Sequence, residues 1–207
     1  MNESLQQKFI NVFSKYSDNK IIEAEYWNEI EKKYSQKNRH YHNLIHLENI
    51  INELQNIQSE INDWNSILFS IFYHDIIYKS TSKDNEEKSA DIAGIRLKKI
   101  NLDIYQINKI CNQILATKAH KKSNDLDTNY LLDADLSILG QNWNQYDKYI
   151  KQIRKEYSIY PDFLYKPGRK KVLEHFLTFE VIYKTDYFKE KYEKQARENI
   201  RKEIETL

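Results

Sequence analysis

The amino-acid sequence predicts an all-α fold, and two observations carry that prediction. The 207 residues include only 3 glycines and 2 prolines, where average usage gives about 14 and about 10 in a chain of this length. A β-sandwich or a glycine-rich phosphate loop needs more turn residues than that. In addition, apolar residues recur every three to four positions through most of the chain, which is the repeat of one helical face. We expect about nine or ten helices in a single domain over residues 1–207.

The helical repeat is clearest in three segments, which are residues 104–115, 143–157 and 172–183. Polar clusters predict breaks between helices, and these clusters lie at residues 35–39, 79–84, 121–128 and 160–168. The last cluster contains both prolines of the chain.

Composition and charge exclude several classes of function. Lys and Arg total 32, Asp and Glu total 31, and the net charge is +1, so neither a nucleic-acid partner nor a membrane partner is expected. The single cysteine, Cys111, excludes a disulfide framework and a cysteine-rich zinc module. Without a signal-like start or an apolar run near about 18 residues, we expect a cytoplasmic protein. The 16 tyrosines do not by themselves indicate a stacking or sugar site.

One predicted helix, over residues 67–78, is apolar almost all round, which is typical of a helix buried on every side. Within it, His74 and Asp75 stand next to each other. Burying an ionised carboxylate without a partner is prohibitively costly. Asp75 must therefore face a cation, a set of hydrogen-bond donors or a metal ion.

Two further segments carry side chains of the same kind. His46 shares a helical face with the apolar residues 50, 54 and 57, so its ring is expected to point into the core. A second apolar helix, over residues 131–140, carries Asp133 and Asp135. Two histidines and two carboxylates on three inward-facing helices suit a divalent metal ion of borderline ligand preference.

His46, the His74-Asp75 pair and a distal aspartate together resemble the H…HD…D signature of the HD superfamily of metal-dependent phosphohydrolases. The first motif is also similar to that of the cyclic-nucleotide phosphodiesterases. More closely, the chain resembles a bacterial family of predicted HD-type metal-dependent phosphohydrolases over residues 39–200. The motifs that carry this resemblance are Arg39-x-Tyr41-His42-Asn43-x-x-His46, His74-Asp75-Ile76-x-Tyr78, Asn85-Glu86-x-x-Ser89-Ala90, Thr117-Lys118-x-His120, Leu132-Asp133-Ala134-Asp135-Leu136, Gly168-Arg169 and Ala196-Arg197-x-Asn199-Ile200.

The resemblance implies an HD-type helical bundle with a metal site. The implied metal ligands are His46, His74, Asp75 and Asp135. Asp133 competes with Asp135 for the last place, and only one of them is expected to bind, because positions i and i+2 of a helix face different ways. Asp135 is preferred because the Asp-Leu-Ser string that it begins matches the phosphodiesterase pattern. The metal-site core is expected at about residues 39–140, with the C-terminal helices of residues 142–206 packed on it.

Three further residues have implied catalytic roles, and each has an alternative. His42 matches the histidine that protonates the leaving oxygen, a task that suits an imidazole near neutral pH; otherwise it is a helix-start residue bonded to a carbonyl. His120 matches histidines that hold a second metal or the phosphate; otherwise it is a helix-end residue favoured by the macrodipole. Glu86 is placed to orient a water as a base; otherwise it is an acidic first-turn residue.

Arg39, Lys118 and Arg169 are the candidates for binding the phosphate of a substrate. A guanidinium can hold a phosphate through two parallel hydrogen bonds, and an ammonium can hold it as a point charge. The alternative for each of the three is a solvated charge or a partner in an ion pair.

Together these features predict a metal-dependent phosphohydrolase that cleaves a phosphoester or phosphoanhydride of a small, nucleotide-like substrate through a metal-activated water. The expected cofactor is a divalent metal ion, with manganese favoured over nickel, iron and magnesium. The expected partner is the small phosphorylated substrate, and a homodimer is left open. Two other functions also stay open: a metal-stabilised regulatory module that senses a nucleotide without turnover, and an HD-type di-iron oxygenase.

Overall fold

The computed structural model describes residues 3–207, and within that range the chain consists of helices, turns and loops without a β-strand. The predicted all-α class is confirmed. The α-helices of this range are α1 (Leu5–Phe13), α2 (Lys20–Tyr34), α3 (Leu44–Gln55), α4 (Trp64–Tyr73), α5 (Asn85–Lys99), α6 (Ile104–Ala116), α7 (Leu126–Asp135), α8 (Trp143–Glu156), α9 (Asp162–Thr178) and α10 (Asp186–Thr206). Short 3-10 helices lie at Gln58–Glu60 and Leu136–Gly140. Between residues 3 and 207, no helix has both the length and the apolar character needed to cross a membrane.

Helix α4 lies at the centre of the helical assembly. Its residues 66–73 are all buried, and it contacts α1, α3, α5, α6 and α7, because a helix that is apolar on all sides needs partners on all sides. The carboxylate of Asp63 starts the helix by accepting the backbone N–H of Ser66 at 3.0 Å, the usual N-cap arrangement. On the neighbouring α3, His46 is 3% exposed, so its predicted inward position is confirmed.

The buried helix is shorter than the sequence indicates, because it ends at Tyr73 rather than at residue 78. The guanidinium of Arg39 accounts for this end. It donates to the carbonyl oxygens of Asp75 at 2.6 Å and of Ile76 at 3.0 Å, which a continuing helix would use for its own hydrogen bonds. His74 is therefore the C-cap of α4, and Asp75 lies just beyond the helix.

The predicted break over residues 160–168 is wrong in its extent. Helix α9 begins at Asp162 and runs through Pro167 and Gly168. Pro167 lies in the second turn, where its missing N–H frees only the carbonyl of Phe163, a residue that is 74% exposed and so open to solvent. The predicted helical face over residues 172–183 is also too long, because α9 ends at Thr178.

The turn that follows α7 is held in place by α10. The amide of Asn199 on α10 donates to the carbonyl oxygens of Leu139 at 2.8 Å and Gln141 at 2.7 Å. At Gly140 the two backbones approach so closely that a Cβ atom would lie 2.4 Å from the Cβ atom of Tyr192. Because this turn directly follows Asp135, these contacts fix where the end of α7 lies. The division into a metal-site core and C-terminal helices stays a prediction.

Candidate metal centre

His46, His74 and Asp75 form a group that could hold a metal ion. The Nε2 atoms of the two imidazoles lie 3.4 Å apart, and Asp75 Oδ2 lies 3.1 Å from His74 Nε2 and 4.0 Å from His46 Nε2. One ligand atom from each residue lies within 4.8 Å of the other two. Helix α3 supplies the first residue and the end of α4 supplies the other two.

Asp135, the last residue of α7, joins this group from the side of His46. Its Oδ1 atom lies 3.1 Å from His46 Nε2 and 3.9 Å from His74 Nε2. With Asp75 beside one imidazole and Asp135 beside the other, the two carboxylates flank the pair of nitrogens. We name these four residues the metal cradle: His46, His74, Asp75 and Asp135.

Asp133 faces away from the metal cradle. Its carboxylate is completely buried and accepts the backbone N–H groups of Lys184 at 2.8 Å and Thr185 at 2.8 Å, together with the Thr185 hydroxyl. These bonds hold the start of α10. Of the two aspartates left open by the sequence, the structure thus brings Asp135 to the histidines and commits Asp133 to the backbone.

The donor set and its spacing fit a divalent metal ion. Ligand atoms that share one ion at about 2.0–2.2 Å are on the order of 3 Å apart. The two closest imidazole–carboxylate pairs of the metal cradle are 3.1 Å apart, and the two longer pairs are 3.9 and 4.0 Å apart. His74 Nδ1 lies 2.8 Å from the carbonyl oxygen of Ile71. Nδ1 therefore carries a proton, and Nε2 is the nitrogen that faces the cradle and would bind an ion on losing its own proton. Two imidazoles and two carboxylates suit manganese, iron or nickel.

The electrostatic environment of the metal cradle also favours a bound cation. Burial disfavours the charged imidazole, yet the adjacent Asp75 raises the pKa of His74 to about 9. Burial opposes ionisation of Asp135, yet the hydrogen bond from His46 and the neighbouring imidazoles lower its pKa to about 2. The two carboxylates thus stay ionised, and a positive charge between them is favourable.

The loop that follows Asp75 is fastened to α5. The side-chain amide of Asn85 exchanges two hydrogen bonds with the backbone of Lys79, at 3.1 and 3.0 Å. The Ser89 hydroxyl accepts the N–H of Ile77 at 3.1 Å. Between them, Glu86 lies on the wall of the cavity beside the cradle, and burial raises the pKa of its carboxyl group.

His42 lies on the same cavity wall and is held by a residue that the sequence did not indicate. Its Nδ1 atom lies 2.6 Å from Oε2 of Glu156, and its ring stacks on Tyr78 with the centroids 4.1 Å apart. Glu156 also accepts the backbone N–H groups of residues 40, 41 and 42. Although burial alone lowers the pKa of an imidazole, the bond to Glu156 raises that of His42.

His120 has a strained backbone and an unpartnered ring nitrogen. Its φ is +47°, in the left-handed region that non-glycine residues rarely adopt. The ring points toward the cradle, with Nε2 3.5 Å from Asp135 Oδ2, while the buried Nδ1 has no hydrogen-bond partner. Burial lowers its pKa to about 4. The left-handed backbone closes the end of α6, because the His120 N–H donates to the Ala116 carbonyl oxygen at 3.1 Å. The unpartnered buried Nδ1 is not explained by a helix end.

The three predicted phosphate-binding residues are engaged with other groups. Arg39 is buried against backbone carbonyls, and Lys118 pairs with Glu87 and donates to the carbonyl of residue 83; neither lines the cavity. Arg169 does line the cavity, but its guanidinium binds Glu203 at 2.7 and 3.1 Å. Because Arg39 and Lys118 lie outside the cavity, their placement argues against substrate binding by them. Arg169 lies on the cavity wall, where it forms an ion pair with Glu203.

A cavity of about 570 Å³ adjoins the metal cradle, a size typical of small-molecule sites. It reaches His74, Asp75 and Asp135, and His42, Glu86 and His120 are also on its wall. Comparisons with protein-family models, with curated proteins and with solved structures find no match. What the site can do is therefore argued from its geometry.

Proposed function

We propose that this chain is an HD-type metal-dependent phosphohydrolase that acts on a phosphoester of a small molecule. The observation that supports it most is the metal cradle at one end of a cavity of small-molecule size. There, two buried imidazole nitrogens 3.4 Å apart face two carboxylates. His46, His74, Asp75 and Asp135 would hold a divalent ion, with manganese favoured. An ion bound there polarises a phosphoryl oxygen and lowers the pKa of a bound water.

His42 is the proton donor to the leaving oxygen in this proposal. Because Nδ1 is engaged by Glu156 at 2.6 Å, the Nε2 atom is the one that remains free to donate a proton. The same bond raises the pKa of His42, which keeps the ring protonated closer to neutral pH. Glu156 is a positioning residue, since it touches the imidazole rather than the cavity side of the ring.

Glu86 is the proton acceptor in this proposal. It lies on the cavity wall, on the same helix as Asn85 and Ser89, whose side chains bond to the backbone of the preceding loop. Burial raises the pKa of its carboxyl group, which makes the carboxylate a stronger base toward a proton released by the attacking water.

The test is a panel of phosphomonoesters and nucleotides assayed with added Mn²⁺, followed by His42→Asn. Asparagine keeps an N–H donor toward Glu156 but has no proton to give to a leaving group. We expect unchanged metal content and a rate lower by about 10²–10⁴-fold. The deficit shrinks for a nitrophenyl ester, whose leaving group needs less protonation. His175→Asn, on the exposed face of α9, is the matched control.

Two results would count against this assignment. Loss of metal in His42→Asn would make His42 a ligand rather than a proton donor. An equal deficit with good and poor leaving groups would mean that His42 positions the phosphate.

A second candidate, the HD-type di-iron oxygenase, is favoured by the two-sided placement of Asp135. Its Oδ1 atom faces His46 at 3.1 Å and its Oδ2 atom faces His120 at 3.5 Å, so one carboxylate could bridge two ions. Metal analysis distinguishes the candidates. Two irons per chain, with visible absorbance and no phosphoester turnover, would favour the oxygenase.

A further inference from the structure

The cavity beside the metal cradle has two chemically different ends. One end carries the ionised side chains of the cradle and Glu86. The other end is formed by α8, α9 and the segment between them, and its wall is aromatic and aliphatic: Tyr157, Tyr160, Leu164, Tyr165 and Val172. Phe176 lies nearer the cradle, with its ring 6.3 Å from that of His120. Six of the chain's 16 tyrosines line the cavity as a whole.

Lysine and arginine side chains contribute almost no positive charge to the cavity lining that could bind a polyphosphate. Among its lining residues, all within the described part of the chain, Arg169 is the only lysine or arginine. Its guanidinium is already bound to the buried carboxylate of Glu203 and donates to the hydroxyl of Tyr149 at 3.3 Å. Phosphates beyond the one at the cradle would therefore face Asp75, Asp135 and Glu86 with no lysine or arginine free to neutralise them.

The aromatic end also contains one polar group with no partner. The hydroxyl of Tyr165 is buried and makes no hydrogen bond, while the guanidinium of Arg154 lies 4.6 Å from the centre of its ring. Buried hydroxyls are nearly always satisfied. Because this oxygen is buried, Tyr165 presents its ring rather than its hydroxyl to the cavity.

We propose that the site takes a phosphomonoester whose leaving group is a flat ring system, and that it excludes di- and triphosphates. This inference rests on the proposed function and names its substrate class. The phosphoryl group lies at the metal cradle, and the ring lies between the aromatic residues of α9 and the 157–160 segment. A ring is the occupant that fits, because aromatic walls bind flat faces by stacking and by exclusion of water.

Gly168 provides a way to block the aromatic end alone. It lies on the cavity wall, and a Cβ atom placed there meets no atom within 4 Å. A leucine at this position in α9 adds apolar volume at the cavity wall without displacing a neighbouring atom or the cradle. Lys170→Leu, two residues further on and outside the cavity lining, is the matched control.

The experiment measures binding of phosphonates, which cannot be hydrolysed, to the Mn²⁺-loaded protein by titration calorimetry. We expect 1-naphthylphosphonate to bind about 10-fold or more tightly than methylphosphonate, because the ring buries apolar surface. Gly168→Leu removes about that factor and leaves methylphosphonate within about 2-fold. Lys170→Leu changes neither. Thermal unfolding of both variants checks that they fold.

The outcomes separate this inference from the proposed function. Equal binding of the two phosphonates by the unmodified chain overturns the inference, as does tighter binding of inorganic diphosphate or a nucleoside triphosphate. Turnover of any phosphomonoester would still support the phosphohydrolase. Conversely, a naphthyl preference that is lost in Gly168→Leu, without hydrolysis of 1-naphthyl phosphate, supports the inference and counts against the proposed function.

Discussion

The two ends of α7 carry carboxylates that are used in opposite ways. At the first turn, Asp127 is completely buried. It accepts the backbone N–H groups of Asn62 at 2.9 Å and Asp63 at 3.0 Å, and it pairs with the ammonium of Lys109 at 2.7 Å. Every one of these partners is a donor with a proton to give. The carboxylate is thereby satisfied, and it ties α7 to α6 and to the start of α4.

At the last residue of the same helix, Asp135 faces three imidazoles instead. Its nearest partners are ring nitrogens of His46 at 3.1 Å and His120 at 3.5 Å, which donate only when protonated. Asp127 is completely buried, whereas 14% of the Asp135 side chain is exposed, but this difference does not by itself assign their roles. What distinguishes them is whether the surrounding atoms are fixed donors, which make a carboxylate structural, or lone-pair nitrogens, which leave room for a metal cation.

The largest effect expected from this comparison is on metal affinity. We expect Asp135→Asn to lower the affinity for Mn²⁺ by more than about 100-fold, which exceeds the about 10–100-fold of residues that only support a ligand. Asp127→Asn should leave it unchanged, because its carboxylate is committed to donors far along the helix. Titration calorimetry of the metal-free chain measures both. An empty site in Asp127→Asn together with a loaded one in Asp135→Asn would reverse the assignment.

The same two substitutions should have the opposite order in stability. Asp127→Asn leaves the Lys109 ammonium without its partner, so we expect the free energy of unfolding to fall by about 3–5 kcal/mol. Asp135→Asn in the metal-free chain removes an ionised carboxylate whose pKa the imidazoles lower to about 2, so we expect a smaller loss of about 2 kcal/mol. Urea unfolding at pH 7 without metal is the measurement. Equal losses in the two variants would remove the distinction between a structural and a functional carboxylate.

The sequence was informative wherever a polar residue interrupts an apolar helical face. His46, His74 and Asp75 could be predicted to converge for that reason. Glu156 could not be predicted, because α8 contains many charged residues and its spacing does not distinguish a buried glutamate from a solvated one. Its role appears only when α8 packs beside His42, more than 100 residues earlier in the chain.

Helix ends were less predictable than helices, for a related reason. Periodicity shows where a helix can form, but the end of α4 depends on Arg39, which reaches the carbonyls of Asp75 and Ile76 from a distant segment. In α9 the opposite happened. Pro167 looked like a break, yet its second-turn position costs the helix only one exposed hydrogen bond. Both differences come from tertiary context that local propensity does not contain.

A third carboxylate, that of Glu156, extends the comparison, because its contribution to the free energy of unfolding depends on pH. Burial would raise the pKa of Glu156, but the bonds from His42 and from backbone N–H groups lower it to about 2. Because the pKa of Glu156 is lower in the folded chain than in the unfolded chain, its ionised carboxylate stabilises the fold at pH values above about 4.5. This stabilisation is lost as the pH falls from about 4.5 toward about 2. We expect about 3 kcal/mol from this group.

Glu156→Gln tests this pH dependence of the free energy of unfolding directly. The variant should be less stable than the parent at pH 6–7 by about that amount, and the gap should close as the pH falls from about 4.5 to about 2, because the glutamine does not titrate. Urea unfolding at a series of pH values gives the gap. A gap that stays constant down to pH 2 would mean that Glu156 contributes packing rather than charge.

The smallest expected effects concern two glycines. They test whether the contact between α10 and the turn after α7 fixes the position of Asp135. A Cβ atom at Gly140 would lie 2.4 Å from the Tyr192 side chain and 2.8 Å from the Tyr192 carbonyl oxygen, and backbone cannot yield as a side-chain tip can. We expect Gly140→Ala to cost about 1–3 kcal/mol of unfolding free energy and to weaken Mn²⁺ binding, because the turn after Asp135 must move.

Gly168→Ala is the matched control for that substitution. It lies within α9, where a Cβ atom meets nothing within 4 Å, so the alanine should stabilise the chain by about 0.5–1 kcal/mol through its better helix propensity. Metal affinity should not change, since α9 does not carry a cradle residue. If Gly140→Ala lost stability while keeping full Mn²⁺ affinity, the position of Asp135 would depend on α7 itself. The contact with α10 would then stabilise the fold without tuning the site.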